Sequence, residues 1–110
     1  MTPTKKIVLV TTAQAAAPIV VNRFVGFDGK QAKAAAPVLG VSPRDVEAGD
    51  TMAVECIGIA LVEAGGAVAA GAKVASDANG CAVAGETQAA GYAVTAAAAA
   101  GDVIAVLLKG

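Results

Sequence analysis

One phrase occurs twice in this chain, about fifty residues apart. It restricts the fold more than any single residue does. The first copy runs from Gly40 through VSPRDVEAGDTMAVECIG to Gly58, and the second from Gly91 through YAVTAAAAAGDVIAVLLKG to Gly110. Each reads as a Gly-led strand, a short loop, Ala-Gly-Asp, a second strand holding Ala-Val, and a closing Gly. The closing Gly follows the turn Gly by nine residues in both copies, Gly49 to Gly58 and Gly101 to Gly110. A weaker third echo, Ala70-Gly71-Ala72-Lys73-Val74, lacks the Asp. A recurring strand-turn-strand unit with no evident catalytic group in its shared positions suggests a scaffold that builds a surface.

At 110 residues the chain suits one domain. We divide it into an N-terminal arm, residues 1–6, and a single β domain, residues 7–110. The 56% hydrophobic content overstates the core, because 29 of those residues are Ala and 26 are Val, Ile or Leu. Burial contributes about 25 cal/mol per Å² of apolar surface, so each Ala adds little. With three aromatic residues, Phe24, Phe27 and Tyr92, and no Trp, the core must be largely Val.

Val outnumbers Leu 16 to five, and 13 Gly recur at short intervals. Beta-branched residues between frequent glycines indicate short strands and turns. Ala favours helix, but the longest run, Ala96–Ala100, stops at Gly101. Isolated helices that short are unstable in water. Strands are expected at Lys6–Val10, within Ile19–Phe27, at Lys30–Ala34 after an Asp28-Gly29 hairpin turn, at Val38–Ser42 and from Thr51 to about Val62. Others are expected at Lys73–Ser76, Cys81–Ala84, Tyr92–Thr95 and Val103–Leu108. Thr11–Pro18 reads as a connector of small residues, and Ala67–Ala72 as a loop or single helical turn. The fold class is therefore all-β, a compact antiparallel barrel or sandwich of short strands carrying an internal strand-turn-strand repeat.

Several functions are disfavoured. The chain has no His, the commonest general base and metal ligand, so we expect no metal and no cofactor. Cys56 and Cys81 stand outside any Cys-x-x-Cys pattern and read as free thiols in a protein made in a reducing cytoplasm. Asp50 and Asp102 recur by repeat position, and a cryptic enzyme would use them or Cys81. Each Asp directly follows a turn Gly, however, which turn hydrogen bonding explains better. We expect no enzyme. No Gly-Lys-Ser/Thr phosphate loop occurs, and no basic stripe interleaved with aromatics points to nucleic acid. The apolar patch Ile7–Val10 is shorter than the roughly seven to fifteen residues of a signal-peptide core. No run approaches a membrane span, so neither a cleaved leader nor a membrane partner is expected.

Charge is unevenly spread, +5 from Met1 to Arg44 and −6 from Asp45 to Gly110. Such asymmetry can steer head-to-tail association or docking on an acidic surface. Alternatively, folding interleaves the two parts and cancels the field. The early cations Lys5, Lys6, Arg23 and Arg44 are the candidate partner-binding residues.

From Arg23 to Gly110 the chain resembles the small capsid decoration, or cement, proteins of tailed bacteriophages. The resemblance rests on RFVGFDGKQAKAA, VLGVS, AGDTMAVECIG, GGAVAAGAKVASDANG, AAGYAV and the terminal AGDVIAVLLKG, in that order and spacing. Residues Met1–Val21 match less well. The resemblance implies a β-barrel-like domain on the outside of an assembled head, bridging major capsid protein subunits and helping the shell resist pressure. It further implies a homotrimer at three-fold or quasi-three-fold positions, made in the bacterial host cytoplasm and ending on the virion. The alternative is a β-module binding a host surface or carbohydrate, although such sites usually stack aromatics and this chain has few.

Overall fold

The structure, a computed structural model, describes residues 3–108. Eight strands form in chain order: β1 Lys6–Gln14, β2 Arg23–Val25, β3 Gly40–Ser42, β4 Thr51–Glu63, β5 Lys73–Ser76, β6 Ala82–Ala84, β7 Gly91–Ala93 and β8 Val103–Leu108. All named strand pairings are antiparallel, in the order β2-β3-β4-β8-β7-β5-β6, with β1 added to β4. The sheet nearly closes into a barrel. Phe24 N–H donates to Gly80 O at 2.7 Å, joining β2 to the β5–β6 turn at the far end of that order. No helix forms among the described residues, so the Ala runs became loops and turns.

The 13-residue strand β4 organises the rest. Glu55 pairs with Val10 of β1 and Val41 of β3, so those two strands flank opposite edges of β4. Gly58 and Ile59 pair with β1 and also with Leu108 and Leu107 of β8. Hence β3 and β8 share one edge of β4, one after the other, and β1 runs along the other edge. Side chains alternate along β4 with period two. Met52 and Val54 enter a cluster with Ala15, Ile19, Val25 and Val46, whereas Ala60 and Val62 enter a larger one with Phe24, Ile104, Val106 and Leu108. Phe24 is the one fully buried aromatic; Phe27 and Tyr92 are 72% and 37% exposed. The core is otherwise mostly Val, Ala and Ile, with Met52, Cys81 and Leu108, as the composition requires.

The repeated phrase folds the same way each time. In the first copy Gly49 (φ 90°) donates its N–H to Ala15 O, Ala15 N–H donates to Asp50 O, and Asp50 N–H to Glu47 O. In the second, Gly101 (φ 95°) donates to Ala64 O, Ala64 to Asp102 O, and Asp102 to Ala99 O. The third echo repeats this wiring: Gly71 to Ala93 O, Ala93 to Ala72 O, and Ala72 to Ala69 O. Each turn thus grips one buried alanine, Ala15, Ala64 or Ala93, by two main-chain hydrogen bonds. Alanine suits this place because it buries with minimal volume beside the backbone that holds it. The leading glycines also correspond, because a Cβ on Gly40 would strike Glu55 O and one on Gly91 would strike Leu107 O.

Several expectations need correction. β1 extends to Gln14, because Thr11–Gln14, read as connector, pairs in regular register with Val54–Thr51. Lys30–Ala34 forms no returning strand, and only the bridge Val25↔Gln31 succeeds the Asp28-Gly29 turn. Ile19–Phe27, Val38–Ser42 and Tyr92–Thr95 give only the shorter strands Arg23–Val25, Gly40–Ser42 and Gly91–Ala93. The closing Gly110 of the second copy, Lys109, and Met1 and Thr2 of the arm lie outside the described residues.

A candidate docking surface

The division of one β4 edge between β3 and β8 leaves a gap. Glu55 is the last residue paired with β3 and Gly58 the first paired with β8. Between them Cys56 and Ile57 face a groove of about 540 Å³. Leu9 and Thr11 of β1 form one wall, the Pro37–Gly40 segment entering β3 a second, and Gln88–Ala90 with Leu108 the third. Phe27 stands at the rim. The volume falls within the range of about 300–1,000 Å³ usual for ligand pockets, but most of the side chains lining it are apolar. None of its residues is charged, and Thr11 and Gln88 supply its only polar side chains. Leu9 is 47% exposed and Ile57 37%. The groove is therefore a candidate place for contact with another molecule.

Beside the groove, β1 is exposed along most of its length. Val8 and Val10 are 75% and 51% exposed. A bulge at Val8 brings β1 close to Gly58 (φ 120°), where any Cβ would meet Lys6 O and lie 2.9 Å from Val8 N. Glycine at that point lets the strand and its bulge approach.

The four sequence-chosen cations do not converge. Lys5 reaches the nearly buried Glu55 at 2.9 Å. Lys6 opens β1 and is exposed. Arg23, only 16% exposed in its side chain, lies 3.4 Å from Glu63 and donates to Asn79 O at 3.0 Å, fastening β2 to the β5–β6 turn. Arg44 holds its own loop through Asp45 O and Thr51 O. Lys5–Glu55 and Arg23–Glu63 therefore pair early cations with late acids inside one molecule, consuming part of the charge asymmetry. Sequence reasoning missed the groove, because its lining comes from six separated segments.

The residues weighed for catalysis have structural partners. The Asp50 carboxylate accepts from Glu47 N–H at 3.0 Å, and that of Asp102 from Ala98 N–H at 2.9 Å and Ala99 N–H at 3.3 Å. Both close the turns of the repeat. Cys56 and Cys81 are free thiols. Burial pushes the Cys81 thiol above its ordinary value of 9.0, Arg23 opposes this, and Asp77 and Glu63 reinforce it. The folded chain thus keeps this proton after the unfolded chain has lost it. Its stabilising effect is complete below pH 9.0 and is lost as pH rises through the elevated folded value. Alkaline thermal melts should show Cys81→Ala losing less stability above pH 9 than the wild type does; equal slopes would refute the assignment.

Comparison with known proteins agrees with this geometry. Residues 2–108 match the family model for phage cement proteins. The fold is shared with the N base of the head fiber gp8.5 of bacteriophage phi29, at a TM-score of 0.76 and 21% identity, covering 92% of this chain and 93% of that one. No curated protein matches the sequence. An all-β unit that repeats one turn three times and offers an uncharged groove, matched over nearly its whole length, belongs to the phage cement protein family, structural proteins associated with the capsid.

Proposed function

We propose that this protein binds the outer surface of an assembled phage head and stabilises the shell by bridging neighbouring major capsid protein subunits. The observation carrying this reading is the uncharged groove rimmed by exposed Phe27, Leu9 and Ile57. Its burial on a protein surface would supply the hydrophobic free energy that so small a core leaves unused. An epitope spanning two subunits exists only after assembly, which makes binding selective for heads. Residues 1–6 lead into the domain of residues 7–110 as an arm whose last residue opens β1; of Lys5, Lys6, Arg23 and Arg44, which do not converge, exposed Lys6 is the one placed to add a cationic contribution at the contact. In keeping with the family resemblance, the copies gather as homotrimers at three-fold positions. Catalysis forms no part of this reading. A carbohydrate site is a poorer fit to a groove with two polar side chains.

Co-sedimentation tests the proposal. The purified protein should pellet with expanded heads and raise their resistance to heat, while unassembled coat protein captures little of it. Equal capture by unassembled coat protein would overturn the reading.

A further inference from the structure

The β5–β6 turn carries a reactive dipeptide at the place where the barrel closes. Asn79-Gly80 is the one Asn-Gly pair in the chain; the other asparagine, Asn22, precedes Arg23. Asparagine is a heat-labile residue, and a glycine after it offers no side chain to hinder attack by its nitrogen. In that reaction the Gly80 main-chain nitrogen loses its proton to water and bonds to the Asn79 side-chain carbonyl carbon. Ammonia leaves and a cyclic imide closes. Water then opens the ring at either carbonyl. One opening leaves Asp at position 79. The other leaves isoaspartate, in which the main chain runs through the former side chain. The fold clamps both sides of the peptide group that must move. Asn79 O accepts from Arg23 Nη1 at 3.0 Å and from Gln31 Nε2 at 2.9 Å, while Gly80 N–H donates to Asp77 O at 3.2 Å. Gly80 has to release its proton and its peptide plane has to turn toward the exposed Asn79 side chain, so all three bonds must open first. Arg23 and Gln31 stand on the β2 side of the seam. Their hold on the turn lasts only while the barrel is closed there.

We infer that Asn79 is a deamidation site that the closed barrel seam holds unreactive, and that its isoaspartyl product in turn keeps the seam from closing. Isoaspartate inserts one extra carbon into the main chain before Gly80, about 1.5 Å of added length. Gly80 is buried at φ 78°, and its O accepts Phe24 N–H at 2.7 Å. Within the same turn Asp77 N–H donates to Cys81 O at 2.8 Å, and Asp77 Oδ1 accepts from the N–H groups of Asn79 and Cys81. A lengthened turn cannot keep these bonds and also leave Gly80 O on Phe24 N–H. The Asp product leaves the chain length unchanged and keeps both. A copy on a capsid is not renewed once the particle has left its cell, so the change accumulates with age. Neither step requires the protein to be docked on a shell.

Peptide mass spectrometry of the purified protein, aged in warm and mildly alkaline buffer, decides the matter. The chain unfolded in urea supplies the unclamped rate. Folded wild type should convert at Asn79 at least about ten-fold more slowly, as a site reached through local opening does. Gln31→Ala, with its circular dichroism unchanged, should convert several-fold faster than folded wild type. Gln14→Ala loses a side-chain bond to Gly49 O outside the seam and should convert at the wild-type rate. Asn22 in the same digests should stay intact. Folded and unfolded wild type converting equally fast would overturn the clamp, as would Gln31→Ala no faster than Gln14→Ala. The isoaspartyl species, separated from the aged sample by ion exchange, should melt several degrees below wild type, whereas Asn79→Asp should melt close to it. An isoaspartyl species as stable as Asn79→Asp would refute the effect on the seam.

Discussion

Gly91→Ala is expected to lower the unfolding free energy by about 3 kcal/mol or more, the upper end of overpacking costs, and the melting temperature by at least about 12 °C. The reason is local and severe. A Cβ at Gly91 would occupy the space of Leu107 O, and the clashing atom is main chain in the middle of the β7–β8 ladder. Relief requires separating the strands and giving up the pairs Gly91↔Leu108 and Tyr92↔Leu107. Gly40→Ala meets Glu55 O in the corresponding place and should behave alike. Gly49→Ala provides the contrast. Nothing lies within 4 Å of its Cβ position, so only the positive φ of 90° is strained, at a cost of about 1 kcal/mol. Thermal denaturation of the three variants should rank Gly49→Ala well above the other two. A Gly91→Ala melt within about 2 °C of wild type, against the several degrees that 1 kcal/mol moves a domain of this size, would contradict the packing at this ladder.

Replacing Leu9 and Phe27 together with Ser should weaken head binding about 30- to 100-fold while leaving the melting temperature nearly unchanged. Both side chains are substantially exposed in the isolated protein, at 47% and 72%, so folding gains little from them. Covering each at an interface would contribute about 1–1.5 kcal/mol, a little less than the burial of a whole large apolar side chain, and each 1.4 kcal/mol is tenfold in affinity. Phe27→Leu should retain most of the binding. A titration of heads with the double variant, with sedimentation to separate bound from free, gives the measurement. Unchanged affinity would remove the groove from the docking surface.

Strands β4 and β8 inside the barrel were legible in the sequence almost to their bounds, whereas the second half of β1 was not. Thr51–Glu63 and Val103–Leu108 carry apolar residues wherever the interior demands them, and the expected bounds nearly coincide with β4 and β8. Thr11–Gln14 belongs to a strand with no buried face, so no alternation was imposed and its small polar residues read as a connector. Asp28-Gly29 does turn, with Gly29 at φ 80° and Gly26 N–H bonded to Lys30 O. Beyond Lys30 the chain pairs only once, because it turns away to enclose Phe24 through the Ala32 N–H to Phe24 O bond. Turn chemistry foretold the roles of Asp50 and Asp102. Charge alone chose Arg23, yet its partner Glu63 lies forty residues on, a distance that only the folded chain bridges.

The junction of β1 with β4 also decides how the molecule answers a pull. Eight residue pairs hold the two strands in antiparallel alignment, and β4 continues from there through both core clusters. Tension applied along β1 loads those pairs together, in shear, and passes into the centre of the barrel. Tension applied across the strand meets them one after another, as in opening a zip. A molecule anchored through β1 is therefore stiff to a shell that stretches along the strand and compliant to one that lifts away from it, so the orientation of β1 on the head would set which deformation it resists.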